Sequence, residues 1–387
     1  MAFRRGGPVA MRFDLVLTGG HVIDPATGVD GRRDVAFATG RVAAVDHAIP
    51  GGTAREVVDV TDAYVVPGLI DLHAHAFIAG HDLGVETDPV CRATGVTTLC
   101  DAGSTGAANF AGLREYVMAR AETRVLGFLH LSAIGLAHLG IGEHCLLEYS
   151  DPDLAASVAR EHRDVVLGIK VREQVEVVGA HGLEPLRRGL RAAEAAGVPV
   201  IVHVNNPPAE YGEVLALLRP GDIVSHFFHG RGSGILDPAG RIKPAVHEAR
   251  RRGVVFDVAH GRSHVNFPVV RKAFAEGFYP DTISSDLTRP GRASIVRDLP
   301  TTLSKFLSLG MPLGDVVRAA TAAPAGAIGR SGELGSLALG AAGDAAVFTV
   351  DEGRFPYQDA DGNTLEGGRR WTPRLTVRAG RVWWRAA

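Results

Sequence analysis

"AYVVPGLIDLHAHAF", residues 63–77, decides the fold. Its apolar run reads as a buried strand, and side chains two apart on a strand point the same way. His73 and His75 therefore face one interior from the end of one strand. A core seldom gathers two imidazoles, whereas a metal ion does. The bland alternative is a pair of hydrogen-bonded histidines at a strand end.

Further runs of the same texture follow at 95–103, 124–132, 164–171, 198–204, 221–227, 253–260 and 281–286. Helical stretches intervene, such as "NFAGLREYVMARAE", "EPLRRGLRAAEAAG" and "PAVHEARRRG". Alternation of strand and helix implies parallel pairing. Eight strands over about 260 residues predict an α/β fold of the (β/α)8 TIM-barrel type, whose usual size is ~250 residues. The stretch 299–329 reads as two closing helices. Residues 12–66 and the C-terminal stretch instead show short strands with turn punctuation. They predict a small β-sandwich domain built from both termini, 12–66 plus 334–387, beside a barrel over 67–333. Residues 1–11 read as a flexible extension, with Met11 an alternative start.

Hydrophobic residues make up 46% and charged residues 22%, an ordinary globular balance. A formal charge of −2 gives no reason to expect nucleic acid or an anionic membrane as partner. No run approaches the roughly 20 apolar residues of a membrane span. Three cysteines without CxxC spacing suit a reducing compartment, so a cytoplasmic location is expected. Cys91 and Cys100 read as packing residues.

Barrel chemistry belongs at the C-terminal ends of the strands. There the chain places His73 and His75, Lys170 in "LGIKVRE", His203 in "PVIVHVNN", His226 in "DIVSHFFHG" and Asp286 in "TISSDLT". Imidazole and carboxylate are the ligands of zinc and similar ions. Lys170 is the odd member. A buried lysine loses its proton readily, and a neutral amine adds carbon dioxide to give a carbamate that bridges two cations. Two divalent ions ~3.5–4 Å apart then share a hydroxide nucleophile. Asp286 would bind one ion, take the proton of the attacking water and deliver it to the leaving group.

With these residues in order, the chain resembles the amidohydrolase superfamily of metallohydrolases. The closing stretch "GELGSLALGAAGDAAVF" and the two-ended small domain share the likeness. Within it, "GVTTLCDAGSTG", "GIKVRE", "SHFFHGRGSGILD", "FDVAHG" and "DLPTTLSKFLSLGMPL" resemble the amidohydrolase/deacetylase, dihydroorotase-like branch. The resemblance implies that His73 and His75 hold the more buried ion and that carboxylated Lys170 bridges. It implies that His203 and His226 hold the second ion and that Asp286 is ligand and proton shuttle. It implies two divalent ions, zinc foremost with manganese and cobalt also suited, and a homo-oligomer. The expected substrate is a small molecule, an acetyl amide or ester of a carboxylic acid. A cyclic amidase of the dihydroorotase or hydantoinase kind is the alternative, and a metal-free binding barrel the remote one.

Dihydroorotases carry an arginine two residues after the HxH pair, where this chain has Phe77. A phenyl ring cannot pair a desolvated carboxylate. Arg172, on the same strand parity as Lys170, is the expected substitute, or else a structural ion pair. Asn205, His229 and His260 are the remaining expected substrate contacts, with a structural role the alternative for both histidines. His138, His144, His162 and His247 read as surface or helix residues.

Overall fold

The computed structural model describes residues 12–387, so the expected extension 1–11 lies outside the described residues. Fifteen strands are seen among them: β1 Phe13–Asp24, β2 Val29–Ala38, β3 Arg41–Asp46, β4 Ala54–Asp59, β5 Tyr64–Pro67, β6 Leu69–Ala74, β7 Val96–Gly106, β8 Arg124–His130, β9 Val166–Glu173, β10 Val200–Val204, β11 Ile223–Ser225, β12 Val255–Asp257, β13 Ala345–Gln358, β14 Thr364–Arg378 and β15 Arg381–Arg385. They form two sheets.

Strands β6 to β12 make one wholly parallel sheet in chain order. Every residue of β6 and β7 is buried, as expected where helices or side chains cover both faces of a parallel sheet. Helices such as Glu184–Ala196 and Pro244–Arg252 stop at Gly197 and Gly253, whose left-handed φ of 69° and 96° a side chain would strain. The eighth expected strand is not a regular one. Residues 282–287 instead bond to both edges of the sheet: Val258 N to Thr282 O at 3.0 Å and His260 N to Ser284 O at 3.1 Å on one side, Asp286 N to His73 O at 2.6 Å and His75 N to Leu287 O at 3.0 Å on the other. These bonds carry the sheet's last gap, so the arrangement is TIM-like.

The two termini do pair, but into one mixed sheet of eight strands, ordered β15-β14-β13-β5-β1-β2-β3 with β4 alongside β1. The expected sandwich of two sheets is not what the pairing shows: β1 bonds β4 along its first half and β5 along its second, so one strand keeps the whole set continuous. The stretch 299–329 holds three helices, Leu299–Ser308, Leu313–Ala320 and Ala322–Ala327, where two were expected. A break at Thr321, φ −134° and ψ −87°, separates the last two.

Candidate active site

Strand register assembles the site. His130 pairs laterally with Lys170, and Arg172 with His203. His203 pairs with Ser225, Ser225 with Asp257, and Asp257 with Thr282. Residues widely spaced in sequence thus form one layer at the C-terminal ends of the strands.

Two sets of donors lie in that layer. His73, His75 and Asp286 offer ligand atoms within 4.8 Å of one another, as do His203, His226 and His264. All six residues are buried. Asp286 Oδ1 is 3.3 Å from His75 Nε2 and 3.8 Å from His73 Nε2, and its Oδ2 is 3.6 Å from His264 Nε2. Lys170 Nζ is 3.0 Å from His73 Nε2. The structure therefore brings together all six residues expected to carry the chemistry.

Hydrogen bonds fix the tautomers. Ser225 Oγ lies 3.2 Å from Asp257 Oδ2 and 3.2 Å from His73 Nδ1. A serine that donates to the carboxylate accepts from Nδ1–H, which puts the His73 lone pair on Nε2, toward Lys170. His226 Nδ1 donates to Ala259 O at 2.7 Å and leaves its Nε2 free. His226 Nε2 and His203 Nε2 have no hydrogen-bond partner although both are buried. Orphaned imidazole lone pairs that face one another are what a divalent cation satisfies. Burial, then the charge of Lys170, holds His73 well below the usual histidine range; burial does the same for His203 and His226. Burial thus favours the neutral form of these three imidazoles, the form that ligates. Burial pushes Lys170 down to about 7, with Asp286 opposing.

His264 was not singled out by sequence reasoning. The Asn205 amide donates to its Nδ1 at 2.8 Å, so the ring proton sits on Nε2 and points at Asp286. His264 thus presents an N–H on the side of the carboxylate, 3.6 Å away, rather than a third lone pair for its cluster. Its one signal was its position four residues past His260 in "AHGRSH". Both His226 and Asp286 have left-handed backbones, φ 70° and 47°. Such strain at non-glycine residues costs about 1–3 kcal/mol each and persists where surroundings over-determine it.

A cavity of about 490 Å³ opens onto this layer, lined by His75, Lys170, His203, His264 and Asp286 among others. Arg172 and Asn205 line it too, as expected. The Arg172 guanidinium, however, pairs with buried Glu143, and Asn205 is engaged by His264. His229 and His260 do not line it. His229 is buried near Tyr211 and its Nδ1 accepts from Arg231 N at 3.2 Å. His260 accepts from Lys305 Nζ at 2.9 Å. His144, expected at the surface or on a helix, is fully buried and stacks on His130 with centroids 5.2 Å apart. Phe77 packs toward Gly80 and Gly112, away from the cavity. A larger cavity, about 790 Å³, lies between the β13–β14 hairpin and helix Leu299–Ser308; no histidine lines it.

Residues 64–368 match the amidohydrolase family, and the chain belongs to that family. It is a hydrolase of that family. Deacetylase Atu3266 of Agrobacterium fabrum is 36% identical over 340 residues, 87% of this chain and 83% of the relative. A crystal structure of an adenine deaminase superposes with a TM-score of 0.90 at 30% identity, covering 97% of this chain and 100% of the other. A crystal structure of a dihydroorotase superposes with a TM-score of 0.86 at 33% identity, covering 95% and 97%.

Proposed function

We propose that the protein is a two-metal hydrolase that cleaves an acetyl amide or ester of a small carboxylic acid. The observation that carries the reading is the pair of neighbouring ligand sets, with orphaned nitrogens on His203 and His226 in one and buried Lys170 against His73 Nε2 in the other. In this reading, His73 and His75 would hold one divalent ion and His203 and His226 the other, with Asp286 on the first. Lys170, once neutral, would add carbon dioxide, forming an N–C bond and releasing one proton to solvent, and the resulting carbamate would offer the ions two anionic oxygens. The ions, zinc foremost, would polarise the scissile carbonyl and supply hydroxide at neutral pH. The chain's own residues do the rest. Asp286, its Oδ2 faced by His264 Nε2–H, accepts the proton of the attacking water and returns it to the departing nitrogen or oxygen. Asn205 keeps the His264 proton on Nε2. Ser225 and Asp257 fix the His73 ring. The likeness to a deacetylase supports the acetyl preference.

The likeness to a dihydroorotase structure keeps a second reading, a cyclic amidase. Against it stands Phe77, packed out of the cavity at the position of the carboxylate-binding arginine. The test is a hydrolysis screen of zinc-loaded protein purified with bicarbonate. It compares acetylated amino and hydroxy acids of both hands with dihydroorotate and hydantoins, with Asp286→Asn as the blank. Turnover of an acyclic acetyl compound, absent in the blank, is the expected result. Turnover of the cyclic compounds alone replaces the first reading with the second.

A further inference from the structure

Arg172 is not free to take a substrate anion. Its Nη1 pairs with Glu143, whose side chain is 2% exposed, and its Nη2 lies 3.5 Å from Gln174 Oε1. Drawing the guanidinium away would strand a buried carboxylate, a strongly unfavourable change. Two other arginines line the same cavity, Arg231 and Arg262. Both are exposed, and among the described residues neither guanidinium has an acid within ion-pair distance or a hydrogen-bond acceptor. Their backbones are held. Arg231 N donates to the buried His229 ring, and Gly261, next to Arg262, donates its N–H to Ser285 O at 3.0 Å. The carboxylate on this side, Glu176, is exposed and takes Asn206 Nδ2 at 3.4 Å. Leu83, Leu136, Leu139 and Val177 give the cavity an apolar wall as well.

We infer that Arg231 and Arg262 form the clamp that selects substrates by their free carboxylate, with an uncharged apolar group seated along the leucines. This deepens the acyl-hydrolase reading and rests on it for the reaction, but not for the anion preference. Arginine suits the task because its planar fork bonds both oxygens of a carboxylate.

The test separates the two. Zinc-loaded protein is titrated calorimetrically with phenylacetate and with phenylacetamide, which differ in charge but hardly in shape. Wild type is expected to bind the anion more tightly. Arg231→Ala and Arg262→Ala should each reduce that preference about tenfold, the size of one charge-assisted bond. Arg381→Ala, on the outer strand β15, should leave it unchanged. A preference that survives the double variant, or that wild type lacks, overturns the clamp. The same variants are then assayed on whichever acetylated acid and neutral amide the hydrolysis screen finds active. A rise in KM confined to the acid, with kcat little changed, supports the clamp; equal losses on both compounds overturn it. An intact anion preference without hydrolysis of any acyl compound would instead sink the acyl-hydrolase reading and leave the clamp standing.

Discussion

Lys170 and Lys305 are both 1% exposed, and burial pushes both down to about 7. Their neighbours differ. Lys305 donates to Ile295 O at 2.8 Å, to Gln358 O at 2.9 Å and to His260 Nε2 at 2.9 Å. Its three donors are spent, and it ties helix Leu299–Ser308 to the end of β13 and to the segment after β12. Lys170 has one close partner, His73 Nε2, and borders the cavity that holds Asp286. Equal burial therefore does not make equal chemistry. A lysine whose donors all go to acceptors is a strut; one that borders a cavity with a single imidazole partner has hydrogen-bonding capacity left over.

Removing each lysine should break the comparison most visibly. Lys170→Ala is expected to lose activity by about three orders of magnitude or more while keeping its circular dichroism, because the residue's work is on reacting groups. Short carboxylic acids added to that variant should restore part of the rate, since they supply the two oxygens that the carbamate would. Lys305→Met should do the reverse. It strands a ring nitrogen and two carbonyls, each costing about 1–3 kcal/mol when buried, so thermal melting should fall by several degrees with kcat within about tenfold of wild type. If Lys305→Met abolishes activity in a folded, metal-loaded protein, the distinction between strut and reactive amine fails.

Glu173 sharpens the contrast from the same strand as Lys170. Its odd spacing from Lys170 turns it to the other face of the sheet. Neither carboxylate oxygen has a hydrogen-bond partner, and burial pushes it up to about 8. An acid raised in the folded state binds its proton more tightly there than when unfolded. Its contribution is whole below the ordinary value of 4.5 and is lost as pH rises through the window to about 8. Glu173→Gln should therefore flatten the fall of melting temperature across that window and exceed wild type in stability above it. A variant whose melting curve keeps the wild-type pH slope would show that Glu173 is solvated or paired.

A smaller effect is expected at Asn205. Without its amide, His264 is free to move its proton to Nδ1, and the donor facing Asp286 is lost. Asn205→Ala should lower kcat about tenfold with KM little altered, as for a group that positions a proton-transfer residue. A change in KM alone would mean that Asn205 contacts substrate instead.

How legible the site was follows from where its residues sit. His73, Lys170 and His203 lie on apolar strands, and strand periodicity predicts both their direction and their shared layer; His226 was legible by following such a strand, although it lies just past β11 with a left-handed backbone. Asp286 was legible by its place in the alternation, although its segment bonds as single bridges with a left-handed residue. His264 lies in a loop without periodicity, so only folding reveals that it reaches Asp286. His260 was favoured because it ends the seventh strand. Its partner Lys305 comes from a helix 45 residues on, a pairing that no local pattern carries. Similarly, alternating residues in 12–66 announce strands but not whether β1 divides its bonds between β4 and β5, which is what turns an expected sandwich into one sheet.

Under the proposed function, the two donor sets and Lys170 hold a pair of ions. This claim is tested most directly by elemental analysis of protein prepared with zinc and bicarbonate, together with anomalous diffraction at the zinc edge. Two zinc ions per chain are expected, with peaks ~3.5–4 Å apart between the two donor sets, and a fall in zinc content in Lys170→Ala. A chain that binds no zinc, or a single ion unaffected by loss of Lys170, would contradict it.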